Sequence, residues 1–296
     1  MSKVQIFWDP SGFELNSIGS TTLNGPPTDG DTPFVRTTIR MLSIDTPEIH
    51  YPGNTSPAKH DEKFADLANW MQEGTAPVED DLAAYLKPRL VTGTAGTLHK
   101  KQGDAAKEHF QALLGEKLTK PTGTKRNVFL RTADESFDQY GRLLAYMSPY
   151  YTAVELDKLS YMERGTFNLF MVESGWAAPF IIFPSLPKYR DLILFQEVAK
   201  AAYTGKKGAW ADEATLTGYE FRACYKMWEI TKKLKDGKKL SSAERTNWIT
   251  RYCADMTTRQ IYEPQNYIKV EPYNRIFIWA EGVTEAVAKM NLMAGD

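Results

Sequence analysis

The stretch Arg40-Met41-Leu42-Ser43-Ile44-Asp45-Thr46-Pro47-Glu48 decides how this chain is read. An apolar strand carries an arginine and ends in an aspartate. A proline then stops the strand, and a glutamate follows. Two carboxylates, a hydroxyl and a guanidinium are thus gathered where a strand leaves a sheet. Carboxylate and carbonyl oxygens suit a hard cation such as Ca²⁺, and arginine suits phosphate oxygens. Taken alone, the segment reads equally well as a charged strand end.

Outward from this stretch, Val4, Ile6 and Trp8 alternate as in a strand, and residues 20–31 are rich in turn formers. Phe34 to Ile44 reads as one further strand. Residues 48–101 read as irregular and locally helical, with Phe64, Leu67, Ala68 and Met71 at helical spacing. Between Asp61 and Asp81 stand seven acids and one lysine, so this part is acidic. A helix is expected over 104–116. Strands are expected over 127–132 and 143–147, flanking the turn Asp138-Gln139-Tyr140-Gly141-Arg142. Thr166 to Ser174 reads as a helix stopped by Gly175, and Leu186 to Thr204 as another. After Trp210 the pattern is helices alone: 217–234, one opened by the capping box Ser241-Ser242-Ala243-Glu244, and 283–292.

The chain has 296 residues and is 42% hydrophobic, enough for one large domain with an appendage or for two domains. Its net charge is −1, so no bulk basic field is available and any nucleic-acid binding rests on local patches. No apolar run is long enough to span a bilayer. The N-terminus does not read as a signal peptide, and Cys224 and Cys253 read as buried thiols, so a cytoplasmic location is expected. His50, His60, His99 and His109 show no metal-site spacing.

Two downstream segments change the weight of the first: Asp138-Gln139-Tyr140-Gly141-Arg142-Leu143-Leu144-Ala145-Tyr146, and Asn168-Leu169-Phe170-Met171-Val172-Glu173-Ser174-Gly175-Trp176-Ala177. In this order the three resemble the thermonuclease, or staphylococcal-nuclease-like, family. Gly103-Asp104-Ala105-Ala106 and Lys206-Lys207-Gly208-Ala209-Trp210 add to the likeness, which covers roughly residues 20–212. The resemblance implies an α+β fold: a five-stranded Greek-key β-barrel of the OB type with packed helices. The expected organisation is residues 1–212 as the nuclease-like domain, with an insertion at 49–102, and residues 213–296 as a helical C-terminal extension.

The resemblance also implies Ca²⁺-dependent hydrolysis of DNA or RNA phosphodiesters to 3′-phosphate and 5′-hydroxyl ends. Asp45 and the Thr46 carbonyl would be Ca²⁺ ligands, Glu48 would orient or deprotonate the attacking water, and Arg40 and Arg142 would hold the phosphate. The other carboxylate ligand points to Asp31 in Asp29-Gly30-Asp31-Thr32, with Asp9 as the rival, because only eight residues separate Asp31 from Arg40. Tyr140, Phe180 and Phe183 are expected to touch substrate. Phe180 and Phe183 stand where the family often places tyrosines, and they can stack but not donate; the alternative is that both rings are core.

The insertion either borders the cleft or is a surface subdomain. The segment Glu220 to Arg259 holds ten basic residues and five acids with interleaved Tyr225, Trp228, Trp248 and Tyr252. It could follow a polyanion, or form amphipathic helices with an aromatic core. The rival to the enzyme is a non-catalytic nucleic-acid- or protein-binding module on the same barrel.

Overall fold

The computed structural model describes residues 22–29, 31–32, 34–50 and 56–295, the side chains of 22–23 and 133–135 aside. The expected strand at 3–8 and the rival ligand Asp9 lie outside the described residues. The chain divides into two compact units, residues 1–40 with 132–145, and residues 41–131 with 146–296.

In the first unit, β1 (Thr22–Leu23) pairs antiparallel with β2 (Val35–Arg36). The turn at Asp138 closes by backbone bonds from Asp138 N–H to the Arg142 carbonyl (3.0 Å) and from Gly141 N–H to the Asp138 carbonyl (2.9 Å), with Gly141 at φ 73°. Leu143 N–H then donates to the Thr38 carbonyl at 2.8 Å.

The expected single strand over 34–44 is three pieces: β2, β3 (Ile39–Met41) and β4 (Ile44–Asp45). Ser43, at φ 62°, breaks the run, because a left-handed residue cannot continue a ladder. β5 (Val128–Phe137) and β6 (Leu143–Pro149) join β3 in a sheet of order β3-β6-β5. β4 pairs with β7 (Ala178–Pro179), two residues against two. The sheets are open: the fold mixes helices and strands, and among the described residues the expected closed five-stranded barrel of the OB type is not seen.

The second unit is built around helices from the insertion. Its segment 49–102 is not mostly irregular: it holds α1 (Pro57–Gln72), α2 (Asp80–Leu90) and the start of α3 (Ala95–Leu118). Ser56 caps α1 through a side chain that accepts from Lys59 N–H, and Pro57 fits the first turn, where no donor is needed. Phe64, Leu67, Ala68 and Met71 of α1 and Leu82, Leu86 and Leu90 of α2 are buried in one core. The same core takes Phe221, Cys224, Met227 and Ile230 of α7 (Gly218–Lys235), so the insertion and the C-terminal segment share it. Each leucine, isoleucine, phenylalanine or methionine among them contributes about 1.5–3 kcal/mol by leaving water. That explains why a segment with so many acids is ordered: its charges lie outside a continuous apolar stripe.

After a short α4 (Ala153–Leu156), α5 (Phe167–Glu173) and α6 (Tyr189–Thr204) follow the expected helices closely. After α7 and the short α8 (Ser242–Thr246), the expectation of helices alone fails. β9 (Tyr252–Asp255), β10 (Gln260–Tyr262), β11 (Arg275–Ile278) and β12 (Met293–Ala294) form a five-stranded sheet, order β12-β10-β9-β11-β8, with β8 (Ile181–Phe183) at its edge; α9 (Val283–Met290) precedes β12. β11 runs parallel to β8, with Ile276 opposite Ile181 and Ile278 opposite Phe183. The C-terminal segment is therefore a mixed structure that completes a sheet begun before α6. Among the described residues no helix is long and apolar enough to cross a membrane. Cys224 and Cys253 are buried and unpaired, and burial pushes the Cys253 thiol up to about 12.

Candidate active site

The Asp45–Glu48 turn is held on every side by the second unit. Asn168, from the third motif, donates from its side chain to the Leu42 carbonyl at 2.8 Å and accepts from Met147 N–H at 3.1 Å. Ser43 and Tyr146 share a hydrogen bond of 2.5 Å between hydroxyls. This clips the turn before Asp45 to β6.

Two glycines let backbones close on the turn. A Cβ at Gly103 of α3 would stand 2.9 Å from both the Pro47 and the Glu48 carbonyl oxygens. A Cβ at Gly218, the first residue of α7, would stand 2.5 Å from Asp45 Oδ2 and 2.6 Å from the Thr46 carbonyl oxygen. Both distances are shorter than any real Cβ contact, so the turn is gripped between two helices that approach only through glycine.

The start of α7 is itself fixed by a buried polar network. Thr217 and Glu220 form a reciprocal capping box. The other oxygen of Glu220 accepts from Tyr85 at 3.0 Å and from Tyr267 at 3.1 Å. Arg275, fully buried, donates to Tyr219 at 2.7 Å and to the Val270 carbonyl at 2.8 Å, and lies 3.7 Å from Glu220. Charged groups so buried are tolerated because each has partners.

One turn on from Gly218, Arg222 donates to both carboxylates of the motif. Its guanidinium is 2.9 Å from Asp45 Oδ2 and forms a short ion pair with Glu48 Oε1. Asp45 is 1% exposed, Glu48 35% and Arg222 39%. Burial alone would lower the arginine, but Asp45 and then Glu48 hold its guanidinium above its usual range. The Glu48 backbone is fixed too: its N–H donates to His99 Nε2 at 2.8 Å. His99 stacks on Phe221 with ring centres 4.0 Å apart. Burial pushes the imidazole down to about 3, so it is neutral and able to accept.

Arg40 lies half-buried in β3 of the first unit, where Arg142 also lies. Arg142 pairs with Asp138 at 2.7 Å, and Asp138 accepts from the backbone N–H groups of Tyr140 and Arg142 as well. Tyr140 is exposed, its ring 5.3 Å from the Arg142 guanidinium. Asp31 is an exposed turn residue of the first unit, accepting from the Thr32 hydroxyl at 3.2 Å. Phe180 and Phe183 are both buried, Phe180 stacked on Tyr219 with ring centres 5.1 Å apart, so the expected base contact gives way to packing.

The donor set does not fit a metal ion as it stands. Asp45 already has a guanidinium as its countercharge, and the Thr46 carbonyl faces Gly218. Among the described residues no group of three or more His, Cys, Asp or Glu side chains could hold a metal.

Comparison with known proteins places this turn in a wider context. The model of the family described as "Staphylococcal nuclease homologue" matches residues 38–212, which include all three motifs. The chain belongs to this family. A similar curated protein is Endonuclease YhcR of Bacillus subtilis (strain 168), 24% identical over 267 residues. The aligned part covers 87% of this chain but only 15% of that relative, so the chain spans a small part of the relative's length. Arg222 lies beyond the part matched by the staphylococcal nuclease family, yet it pairs with both Asp45 and Glu48. Sequence reading missed Arg222 and His99. The basic, aromatic run after Glu220 was the available signal, but nothing in it says which arginine meets Asp45.

Proposed function

We propose that this chain is a nuclease that hydrolyses phosphodiester bonds of DNA or RNA at the Asp45–Glu48 turn. The observation that carries the reading is the state of Glu48. Its backbone is pinned by His99 and its carboxylate is anchored by Arg222, yet the side chain remains 35% exposed. A carboxylate held in place and open to water is what general-base attack requires. Glu48 takes a proton from water as the water attacks phosphorus. Arg40 and Arg142 are assigned to the phosphate oxygens, where they offset the charge that builds up in the transition state. The leaving oxygen takes up a proton as its bond to phosphorus breaks, giving 3′-phosphate and 5′-hydroxyl ends.

Calcium dependence, which membership of the family suggests, requires Arg222 to release Asp45. Tyr140 stays proposed as a substrate contact. The test is cleavage of labelled single- and double-stranded DNA and RNA, with Ca²⁺, with Mg²⁺ and with chelator. Glu48→Gln should fold normally and lose about 10²–10⁴-fold in rate. Full activity in that variant overturns the assignment. A second reading, a module that binds nucleic acid or protein without cutting, is favoured by the Arg222 clamp on Asp45. Pure, folded wild type that binds but does not cut would select it.

A further inference from the structure

Arg251 is a cation held, among the described residues, by aromatic rings rather than by a salt bridge. It stands just before β9, and among the described residues it makes no ion pair; its Nε is buried with no hydrogen-bond partner. Arg222 and Arg275 each have carboxylate or phenol partners by contrast. Arg251 is held instead by aromatic rings, its guanidinium 4.0 Å from the centre of Trp279 and 5.2 Å from that of Phe180. Rings that cover a guanidinium by its faces leave its in-plane N–H donors for an oxyanion.

Arg251 borders a cavity of about 110 Å³, lined also by Lys226, Asn247, Thr250, Trp279 and Phe180. This is smaller than the roughly 300–1,000 Å³ of a site for a drug-sized ligand, and suits one phosphate-sized group. Two of its lining residues are cations. The carboxylate that also lines it, Glu220, already accepts from Tyr85 and Tyr267. Burial, and then the like charge of Arg222, push Arg251 down to about 10, while Asp45 draws it up. The guanidinium therefore stays charged at neutral pH and lies within the field of the Arg222–Asp45 pair.

We propose that this cavity is a phosphate subsite, in which Arg251 and Lys226 seat a phosphate of the polynucleotide beside the one being cut. The subsite rests on the nuclease reading for its place in the reaction, but its ligand chemistry stands apart from it. Arginine forks match phosphate oxygens two at a time, and the flanking hydroxyl and amide of Thr250 and Asn247 add donors. The buried Phe180 acquires a role here that its position in the sequence did not suggest, as part of the aromatic cover over the arginine.

The test uses the full chain in chelator, with two probes: inorganic phosphate, followed by tryptophan fluorescence, and a labelled single-stranded oligothymidylate, titrated across a range of salt. Arg251→Gln should bind both about tenfold more weakly and lower the salt slope for the oligonucleotide by about one. Arg251→Lys should recover part of the affinity. In cleavage, Arg251→Gln should raise KM with kcat little changed. Unaltered affinity for both probes in folded Arg251→Gln overturns the proposal. Loss of phosphate binding with oligonucleotide affinity unaltered overturns it too, as a site for the free ion only. If Arg251→Gln does not fold, Lys226→Gln, at an exposed position, serves in its place: weaker binding of both probes supports the subsite and unchanged binding overturns it. Failure of wild type to cut any nucleic acid would remove the hydrolase reading and leave these binding criteria in force.

Discussion

The turn at Asp45–Glu48 and the turn at Asp138–Arg142 are both motif turns whose acids meet an arginine, but they are held in opposite ways. In the second, Asp138 accepts from Tyr140 N–H and Arg142 N–H and pairs with the Arg142 side chain, all within four residues. In the first, the partners come from far along the chain: His99 is 51 positions from Glu48, and Arg222 is 177 from Asp45. One turn is a local device that would form almost anywhere. The other exists only because α3 and α7 close on it. Short-range turn chemistry needs little ordering of the chain, whereas the clamp draws on a whole core to hold its charges in place.

Removing the arginine from each turn tests that contrast most strongly. Arg222→Met should cost about 3 kcal/mol in urea unfolding, the low end of the range for breaking a buried pair because Arg222 is 39% exposed, and it leaves Asp45 buried without its partner. Adding Asp45→Asn to it should restore part of the loss. Equal stability in wild type and Arg222→Met would break the comparison. Gly218→Ala should follow, at about 1–3 kcal/mol, since a Cβ there meets Asp45 and Thr46; Gly115→Ala in α3, where a Cβ meets nothing within 4 Å, should be neutral or slightly stabilising.

The pH dependence of stability sharpens the same contrast. His99 is neutral in the fold, with its pKa pushed down to about 3, whereas the unfolded chain titrates near 6.5. The unfolded state therefore binds the extra proton first as pH falls. The contribution of His99 is full above pH 6.5 and is lost as pH drops from 6.5 towards 3. The groups around it, Asp45, Arg222 and His60, set the depth of that loss. His99→Gln should flatten the fall in melting temperature over this window, and an unchanged profile would show that the imidazole does not couple to folding. The smallest effect belongs to the local turn: Arg142→Met should cost no more than about 1 kcal/mol, because its pair with Asp138 is solvent-screened, while still weakening nucleic-acid binding.

Much of the local structure was legible in residues. Thr166 at the start of α5, the capping box at Ser241 and the glycine after α5 each carry their own signal, since caps and left-handed stops depend on neighbours in sequence. The strands after Arg251 were not legible. β9 and β11 are short, β11 is buried along its whole length and so lacks alternation, and its parallel partner β8 comes about ninety residues earlier. The break at Ser43 was hidden for a related reason: a serine says little about φ until the chain around it requires a turn.

What the sequence by itself determined is the membership of the staphylococcal nuclease family and the identity of the acids and arginines in its motifs, because those lie in short stretches whose spacing is readable. What only the tertiary structure decided is the partner of each charge. Asp45 meets Arg222, Glu48 hangs from His99, and Arg251 lies against aromatic rings at the edge of a cavity. Those pairings follow from how a shared apolar core brings α1, α3 and α7 together. Burial makes each pairing matter, since a charge withdrawn from water must find its compensation wherever the packing has placed it.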